Sequence, residues 1–389
     1  MKLSSDRILT THVGSLPRPA DLVALLERED RGETVDRARL AARVERVVAD
    51  AVKAQVDAGI DVVCDGEMSK MSYHVYTKHR LTGLGPGERP GTGVPGRGVP
   101  RDIQDFPEIG AARDRERAGP ARLQSTVCVG PVAYRDRAPL DRDIANLKAA
   151  AAEAHPVDVF MNSASPGTLV NYVPNSYYKD VDAYRAALVA AMRPEYEAIH
   201  KAGFVLQLDC PDLAGSRHTD QQTLSDKEFL AYAEKSVEAL NAATAAIPPE
   251  AMRLHICWLN YHGPHTHDFP VARLIGLLCK ARPQALLLEG ANPRHDHEWE
   301  DWKAAKIPAD KVLVPGVIDS TSNFVEHPRL IAQRICRYAD IVGRERVLAG
   351  ADCGFGTYAG AGAVYPSVVT AKFRAMAEGA RIASARLWG

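Results

Sequence analysis

Eight short apolar runs recur along this chain, and six of them are followed by a longer stretch whose apolar residues are spaced for a helix. The runs fall at 8–13, 61–65, 158–162, 204–209, 253–258, 285–289, 312–319 and 347–352. Several are apolar at nearly every position. A strand without in-and-out alternation is buried on both faces, which is the usual state of a strand inside a parallel sheet. The helical patterns lie at 37–58, 181–202, 226–245, 271–281, 328–342 and 367–385. In the second of them Ala183, Leu188, Ala191, Met192 and Ile199 fall broadly on one face. Strand and helix in alternation predict an α/β fold with a parallel sheet. Eight repeats in 389 residues point to a (β/α)8 TIM barrel more than to an open doubly wound sheet. No G-x-G-x-x-G opens a helix after the first run, which weakens a dinucleotide-binding fold further. A single catalytic barrel over 1–389 is therefore expected.

One stretch breaks the alternation. Residues 81–100 (LTGLGPGERPGTGVPGRGVP) are too rich in Gly and Pro for a regular element. We read 81–140 as an insertion after the second strand, with an extra strand near 123–129. It is either a surface loop or a lid over the barrel mouth.

Composition narrows the function. A net charge of −1 and a pI near 6.9 leave no basic footprint for nucleic acid or an anionic membrane. No apolar run approaches the roughly 18 residues of a membrane-spanning helix. The first residues, MKLSSDRILTTHVGS, lack the apolar core of a signal peptide. Seven scattered cysteines suit a reducing cytoplasm better than a disulfide framework. The sequence leaves a homo-oligomer open.

In a barrel, catalytic groups come from the C-terminal ends of the strands. Asp65 to Glu67, Asp209, His255 with Cys257, Glu289, Asp319, and Asp352 with Cys353 each close a predicted strand. His255 and Cys257 are two apart, so on a strand their side chains share a face. His255, Cys257, Glu289 and Cys353 make an N/S/O set suited to tetrahedral Zn2+. A glutamate ligand is readily displaced by an incoming thiol, and zinc coordination deprotonates that thiol. Alone, H-x-C on a strand is a weak signal, more often a pair of packed side chains than a metal site; the matching Glu and Cys at two other strand ends favour metal. Cys64, Cys128, Cys279 and Cys336 read as packing residues, and Cys210 should alternate away from the barrel axis.

These residues sit in motifs. THVGSLPRP at 11–19, DGEMSK at 65–70, LQLDCPDLA at 206–214, RLHICW at 253–258 and GADCGFGT at 350–357 follow one another in order. Through them the chain resembles the cobalamin-independent methionine synthase family, specifically its C-terminal catalytic barrel and the short stand-alone relatives of that barrel. The resemblance implies that His255, Cys257, Glu289 and Cys353 are the zinc ligands. It implies that Val13, Gly14 and Ser15 grip the carboxylate of homocysteine and that Glu67 and Asp209 bind its ammonium. Two converging carboxylates need a cation between them, although a structural pair with Arg or Lys would also serve. A family Trp that stacks on the pterin corresponds to Tyr172. An acid that hydrogen-bonds the pterin falls on Gly215, with Asp212 nearby, and a family His falls near Thr321. The full-length family has a second, N-terminal barrel without a counterpart in these residues.

The expected activity is a zinc-dependent methyl or alkyl transfer onto a small-molecule thiol, with a folate, a corrinoid or another donor. Glu67, Asp209 and Asp319 are the candidate catalytic acids. His265 and His267 (HGPHTHD), with His262, His295 and His297 on the same rim, are candidates for substrate contact, a solvated loop or a second metal. Three rival readings share parts of this pattern. An epoxide:coenzyme M transferase would need a cationic sulfonate pocket, for which Arg18, Lys70 or Arg80 are candidates. A uroporphyrinogen decarboxylase-like enzyme would need no zinc. A purely structural zinc site is usually closed on local hairpins, not gathered from distant strands.

Overall fold

The structure, a computed structural model, describes residues 1–87, 99–110 and 126–389. The strands in chain order are β1 (Val62–Val63), β2 (Leu84–Pro86), β3 (Thr126–Cys128), β4 (Asp158–Ala164), β5 (Val205–Asp209), β6 (Met252–His255), β7 (Ala285–Leu288), β8 (Val312–Ile318) and β9 (Gly350–Ala351). Seven of them form one parallel sheet in the order β1-β4-β5-β6-β7-β8-β9. The segment at Thr10 and Thr11 closes it, bridging in parallel to Val62 of β1 on one side and to Ala349 before β9 on the other. The expected barrel is therefore present, with its first stave shortened. On the β1 side Asp61 Oδ2 takes the Thr10 N–H at 2.9 Å, which withdraws that donor from the ladder.

Side chains sort into two layers. One core lies between the sheet and the helices. It holds Leu206, Leu208, Leu254 and Cys210, so Cys210 does point away from the axis. A second core fills the barrel itself, with Val62, Phe160, Leu287, Val314, Cys257 and Cys353 among its members. Inward positions two apart on a strand stack in tiers. Phe160, Gln207 and Arg253 form a lower tier: the Arg253 guanidinium sits 3.4 Å over the Phe160 ring and donates from Nε to Gln207 Oε1 at 2.8 Å. Asn162, Asp209 and His255 stand directly above them, at the C-terminal mouth.

Five of the six predicted helices form where the patterning places them, while Ala20–Asp30 and Ala138–Ala154 form outside it. Arg37–Asp57 buries Leu40, Val44, Val47, Val48, Ala51 and Val52, and the Asp36 side chain caps it. Asp226–Ala243 begins with a capping box made by Ser225 and Glu228. The pattern at 271–281 breaks into a 3-10 turn, Val271–Arg273, and a single α turn, Ile275–Leu278. No helix among the described residues is long and apolar enough to cross a membrane. Within the expected insertion, Leu84–Pro86 does form a short strand despite its Gly and Pro, antiparallel to Thr126–Cys128. Residues 88–98 of the Gly/Pro-rich stretch lie outside the described residues, and with them much of what a lid would comprise. Cys64 and Cys128 are buried, whereas Cys279 and Cys336 are only half-buried.

Candidate active site

Three side chains from two strand ends meet at the mouth. His255 ends β6, Cys257 follows two residues later on the same face, and Cys353 lies two residues past β9. His255 Nε2 is 3.3 Å from Cys353 Sγ, and the two sulfurs are 3.6 Å apart. All three are buried, and their donor atoms lie within 4.8 Å of one another. Burial lowers the His255 pKa, which favours the neutral imidazole that a metal requires. The hydrogen bond with Cys257, together with burial, pushes the Cys353 thiol well up.

The donor set can be tested against zinc. With Zn–S about 2.3 Å and Zn–N about 2.0–2.1 Å, a tetrahedral ion spaces two sulfurs about 3.8 Å apart and a sulfur and a nitrogen about 3.6 Å apart. The observed 3.6 and 3.3 Å agree to within a few tenths of an ångström. The chemistry and the spacing both fit.

Glu289, expected as the fourth ligand, stands beside this trio, but its carboxylate oxygens lie outside the set of donor atoms within 4.8 Å of one another. Its Oε1 accepts from the Trp258 N–H at 2.9 Å and its Oε2 from Asn292 Nδ2 at 2.8 Å. Burial, opposed by His295 and reinforced by Cys257, raises its pKa to about 7. Asp352 holds the loop that follows it. Its two oxygens accept the N–H groups of Gly290, Ala291 and Asn292 and one from Asn292 Nδ2, at 2.8 to 3.0 Å.

A second cluster adjoins the first. Asn162 Nδ2 donates to Glu67 Oε1 at 2.8 Å and to Asp209 Oδ2 at 3.0 Å, so one amide bridges both acids. Gln207 Nε2 donates to Asp209 Oδ1 and to the Val13 carbonyl. Glu67 is held in the left-handed region, with φ 57°. Burial raises both acids: Glu67 rises against the pull of Arg18 and Lys70, and Asp209 reaches about 6. Gly14 lies against Glu67 and Asn162, and Ser15 packs on Gly354, where a Cβ would overlap its Oγ. The segment 13–15 thus lies between the two acids and the Cys353 turn.

The remaining expected residues fall at varied places. Tyr172 lies in an aromatic rim, its ring 4.5 Å from His74 and 6.5 Å from Tyr73; Tyr358 is 5.7 Å from His74. Tyr73 is near enough to Asp209 and Cys257 for their charges to add to burial in raising its pKa. A side chain at Gly215 would come within 2.7 Å of Leu259 and 3.0 Å of the Cys257 carbonyl, so no acid fits there. Asp212 does not take its place at the mouth, because Ser165 and Thr168 hold its Oδ1. Asp319 Oδ1 accepts from the Thr321 N–H and hydroxyl, each at 2.9 Å. His265 is held by Asp268 and the Tyr261 carbonyl, and His267 by Asp105. The three cations considered for a sulfonate are all paired: Arg18 with Glu67, Lys70 with Asp65, and Arg80 with Glu195.

The sequence pattern gave no role to Asn162 or to Asp352. Asn162 closes the third predicted strand on the inward face, so the strand-end rule that found Asp209 would have found it too. Asp352 closes the last predicted strand, but three of its four donors are backbone N–H groups of another loop, which leave no trace in side-chain types.

Comparison with known proteins gives a consistent picture. The sequence profile described as the catalytic domain of cobalamin-independent synthase matches residues 166–378. The methionine synthase of Thermococcus kodakarensis is 22% identical over 348 residues, spanning 89% of this chain and 86% of that protein. Among solved structures, a B12-independent methionine synthase from a Shewanella species, in complex with selenomethionine, superposes with a TM-score of 0.69 at 18% identity. That match covers 98% of this chain and 99% of the other. A putative vitamin-B12-independent methionine synthase from Listeria monocytogenes gives 0.62 at 17% identity, with the same coverage of 98% and 99%. At these identities the superpositions speak for the barrel fold alone.

Proposed function

Because the chain belongs to the family of the cobalamin-independent synthase catalytic domain, we propose that it is a methyltransferase acting on an amino-acid thiol of the homocysteine type. The observation that carries this reading is the meeting, at one mouth, of an N/S2 donor set and two carboxyl groups tied by a single amide. Zn2+ held by His255, Cys257 and Cys353, with Glu289 as the fourth ligand, would supply the Lewis acidity that makes a thiol nucleophilic at neutral pH.

The protein's own groups do the rest. Glu67 and Asp209 receive the ammonium of the substrate, whose charge relieves the mutual repulsion and burial that raise both acids. Asn162 Oδ1, buried and without a hydrogen-bond partner in the structure, is a third acceptor for it. The backbone at Val13, Gly14 and Ser15 receives the substrate carboxylate. Asp352 fixes the 290–292 loop, which in turn orients Glu289 through Asn292. The rim of Tyr73, His74, Tyr172 and Tyr358 covers the mouth and gives a methyl carrier its aromatic contact. With no room for an acid at Gly215, that carrier is not read as the full-length family reads its pterin.

The test is a transfer assay on zinc-loaded protein. It offers homocysteine, cysteine and coenzyme M as acceptors, with methyltetrahydrofolate and methylcobalamin as separate donors. Methylation of homocysteine is expected to lead. Alkylation of coenzyme M with none of homocysteine would overturn the proposal.

A further inference from the structure

The loop after β6 and the loop after β7 meet over a second buried group of donors that contains no sulfur. His265 Nδ1 lies 2.7 Å from Asp268 Oδ2, and His295 Nε2 lies 3.0 Å from the same oxygen. The far nitrogen of each ring is already committed. His265 Nε2 is 2.8 Å from the Tyr261 carbonyl oxygen, and His295 Nδ1 is 2.8 Å from Glu298 Oε2. A carbonyl only accepts, so His265 Nε2 carries a hydrogen. Glu298 is a carboxylate that also accepts the Val271 N–H, so His295 Nδ1 carries one too.

A neutral imidazole has one N–H, and here it faces away from Asp268 in both rings. Two ring lone pairs and a carboxylate oxygen would then face one another in a buried pocket. The arrangement needs two added positive charges, which two protons or one divalent cation can supply. The other carboxylate oxygen favours the cation. Asp268 Oδ1 makes no hydrogen bond in the structure although its side chain is only 3% exposed, and His218 Nε2 lies 3.8 Å from it. Protons on His265 and His295 leave that oxygen unsatisfied; an ion between the rings can take it as a ligand.

We propose that His265, Asp268 and His295, whose donor atoms lie within 4.8 Å of one another, form a second metal site for a divalent first-row transition ion. The class follows from the donors: imidazole and carboxylate without thiolate suit Fe2+, Co2+, Ni2+ or Zn2+. Metal-to-ligand distances of about 2.1 Å at right angles put neighbouring ligand atoms about 3 Å apart, close to the 2.7 and 3.0 Å found. Each ring's far N–H on a carbonyl or carboxylate is the outer arrangement that fixes a ligating histidine. Glu289 Oε2 is 3.9 Å from His295 Nε2, so the ion sits one carboxylate away from the sulfur-bearing trio. The site stands on its own geometry and does not depend on the thiol reading.

Cobalt titration separates the two sites. Full-length protein carrying Cys257→Ser and Cys353→Ser is stripped with chelator and titrated with Co2+ alone. The expected result is about one cobalt per chain, with weak ligand-field absorption and no thiolate charge-transfer band. Adding Asp268→Asn to this protein should weaken that binding at least about tenfold. Should the doubly substituted protein not fold, Asp268→Asn and His265→Gln in the otherwise native chain give the same reading, as the loss of the sulfur-free component. The proposal is overturned if cobalt fails to bind the folded double variant, or binds it equally well with Asp268→Asn; the cluster is then a hydrogen-bonded triad only. A missing thiolate band in the native chain would instead count against the sulfur site.

Discussion

Asp209→Asn should make the protein more stable and a poorer binder of homocysteine. Burial raises the Asp209 carboxyl from 3.8 to about 6, so the folded state resists its ionisation. A folded value above the unfolded one means that stability is greatest below pH ~4 and falls as pH rises through ~6. That displacement corresponds to ~3 kcal/mol at neutral pH. The substituted amide removes this cost but turns an NH2 toward Asn162 Nδ2 or Gln207 Nε2, both of which donate to the native carboxylate. One mismatched hydrogen bond offsets about 1 kcal/mol. A net gain of about 2 kcal/mol is expected by urea denaturation at pH 7.5, vanishing near pH 4. Binding should move the other way. A charge-assisted hydrogen bond contributes about 1.5–3 kcal/mol, so homocysteine should bind about 10- to 150-fold more weakly. Mercaptobutyrate, which has the thiol and carboxylate but no ammonium, is the control for calorimetric titration. An equal loss for both ligands, or a variant less stable than the native chain at pH 7.5, would refute the reasoning.

Three further substitutions probe the frame of the site. Gly215→Ala drives a Cβ into Leu259 and the Cys257 carbonyl; a loss of about 1–3 kcal/mol is expected in thermal unfolding, together with weaker metal retention. Asp352→Asn keeps one carbonyl oxygen where two carboxylate oxygens served four N–H donors. It should loosen the 290–292 loop, read as faster amide hydrogen exchange at Gly290, Ala291 and Asn292, while relief of the burial and Glu289 repulsion that raise the Asp352 carboxyl offsets part of the lost hydrogen bonding in overall stability. Arg80→Met strands the buried Glu195, which Arg80 Nε and Nη2 contact at 2.6 and 2.9 Å. A loss of about 3–5 kcal/mol is expected, and the pair Arg80→Met with Glu195→Leu should recover most of it.

The parts of the fold legible in the sequence are those where burial writes a pattern. β7 and β8 are apolar at almost every position because both faces are covered, and Arg37–Asp57 shows a full apolar stripe. Ala138–Ala154 was missed because its packing face relies on Leu140, Leu147 and Ala150 among many alanines, a weak periodic signal. Pro166–Tyr172 is too short to show a period and holds Gly and Asn; the Ser165 cap and the proline at its start define it. The trio of His255, Cys257 and Cys353 was readable because strand ends converge in any barrel. The orientation of Glu289 was not, since Trp258 N–H and Asn292 set it through loop geometry. The pairing of Arg80 with Glu195 joins residues 115 apart in sequence, which no local pattern records.

The central claim is that His255, Cys257 and Cys353 present a metal to an incoming thiol. Cobalt-substituted protein tests it most directly, because sulfur ligands announce themselves by thiolate-to-metal charge transfer. The native chain should show that absorption, and Cys257→Ser or Cys353→Ser should each diminish it. Homocysteine should raise it by about half, as a third sulfur joins two, while homoserine should leave it unchanged. A folded native protein that takes up cobalt without any thiolate band, or a band indifferent to homocysteine, would contradict the account.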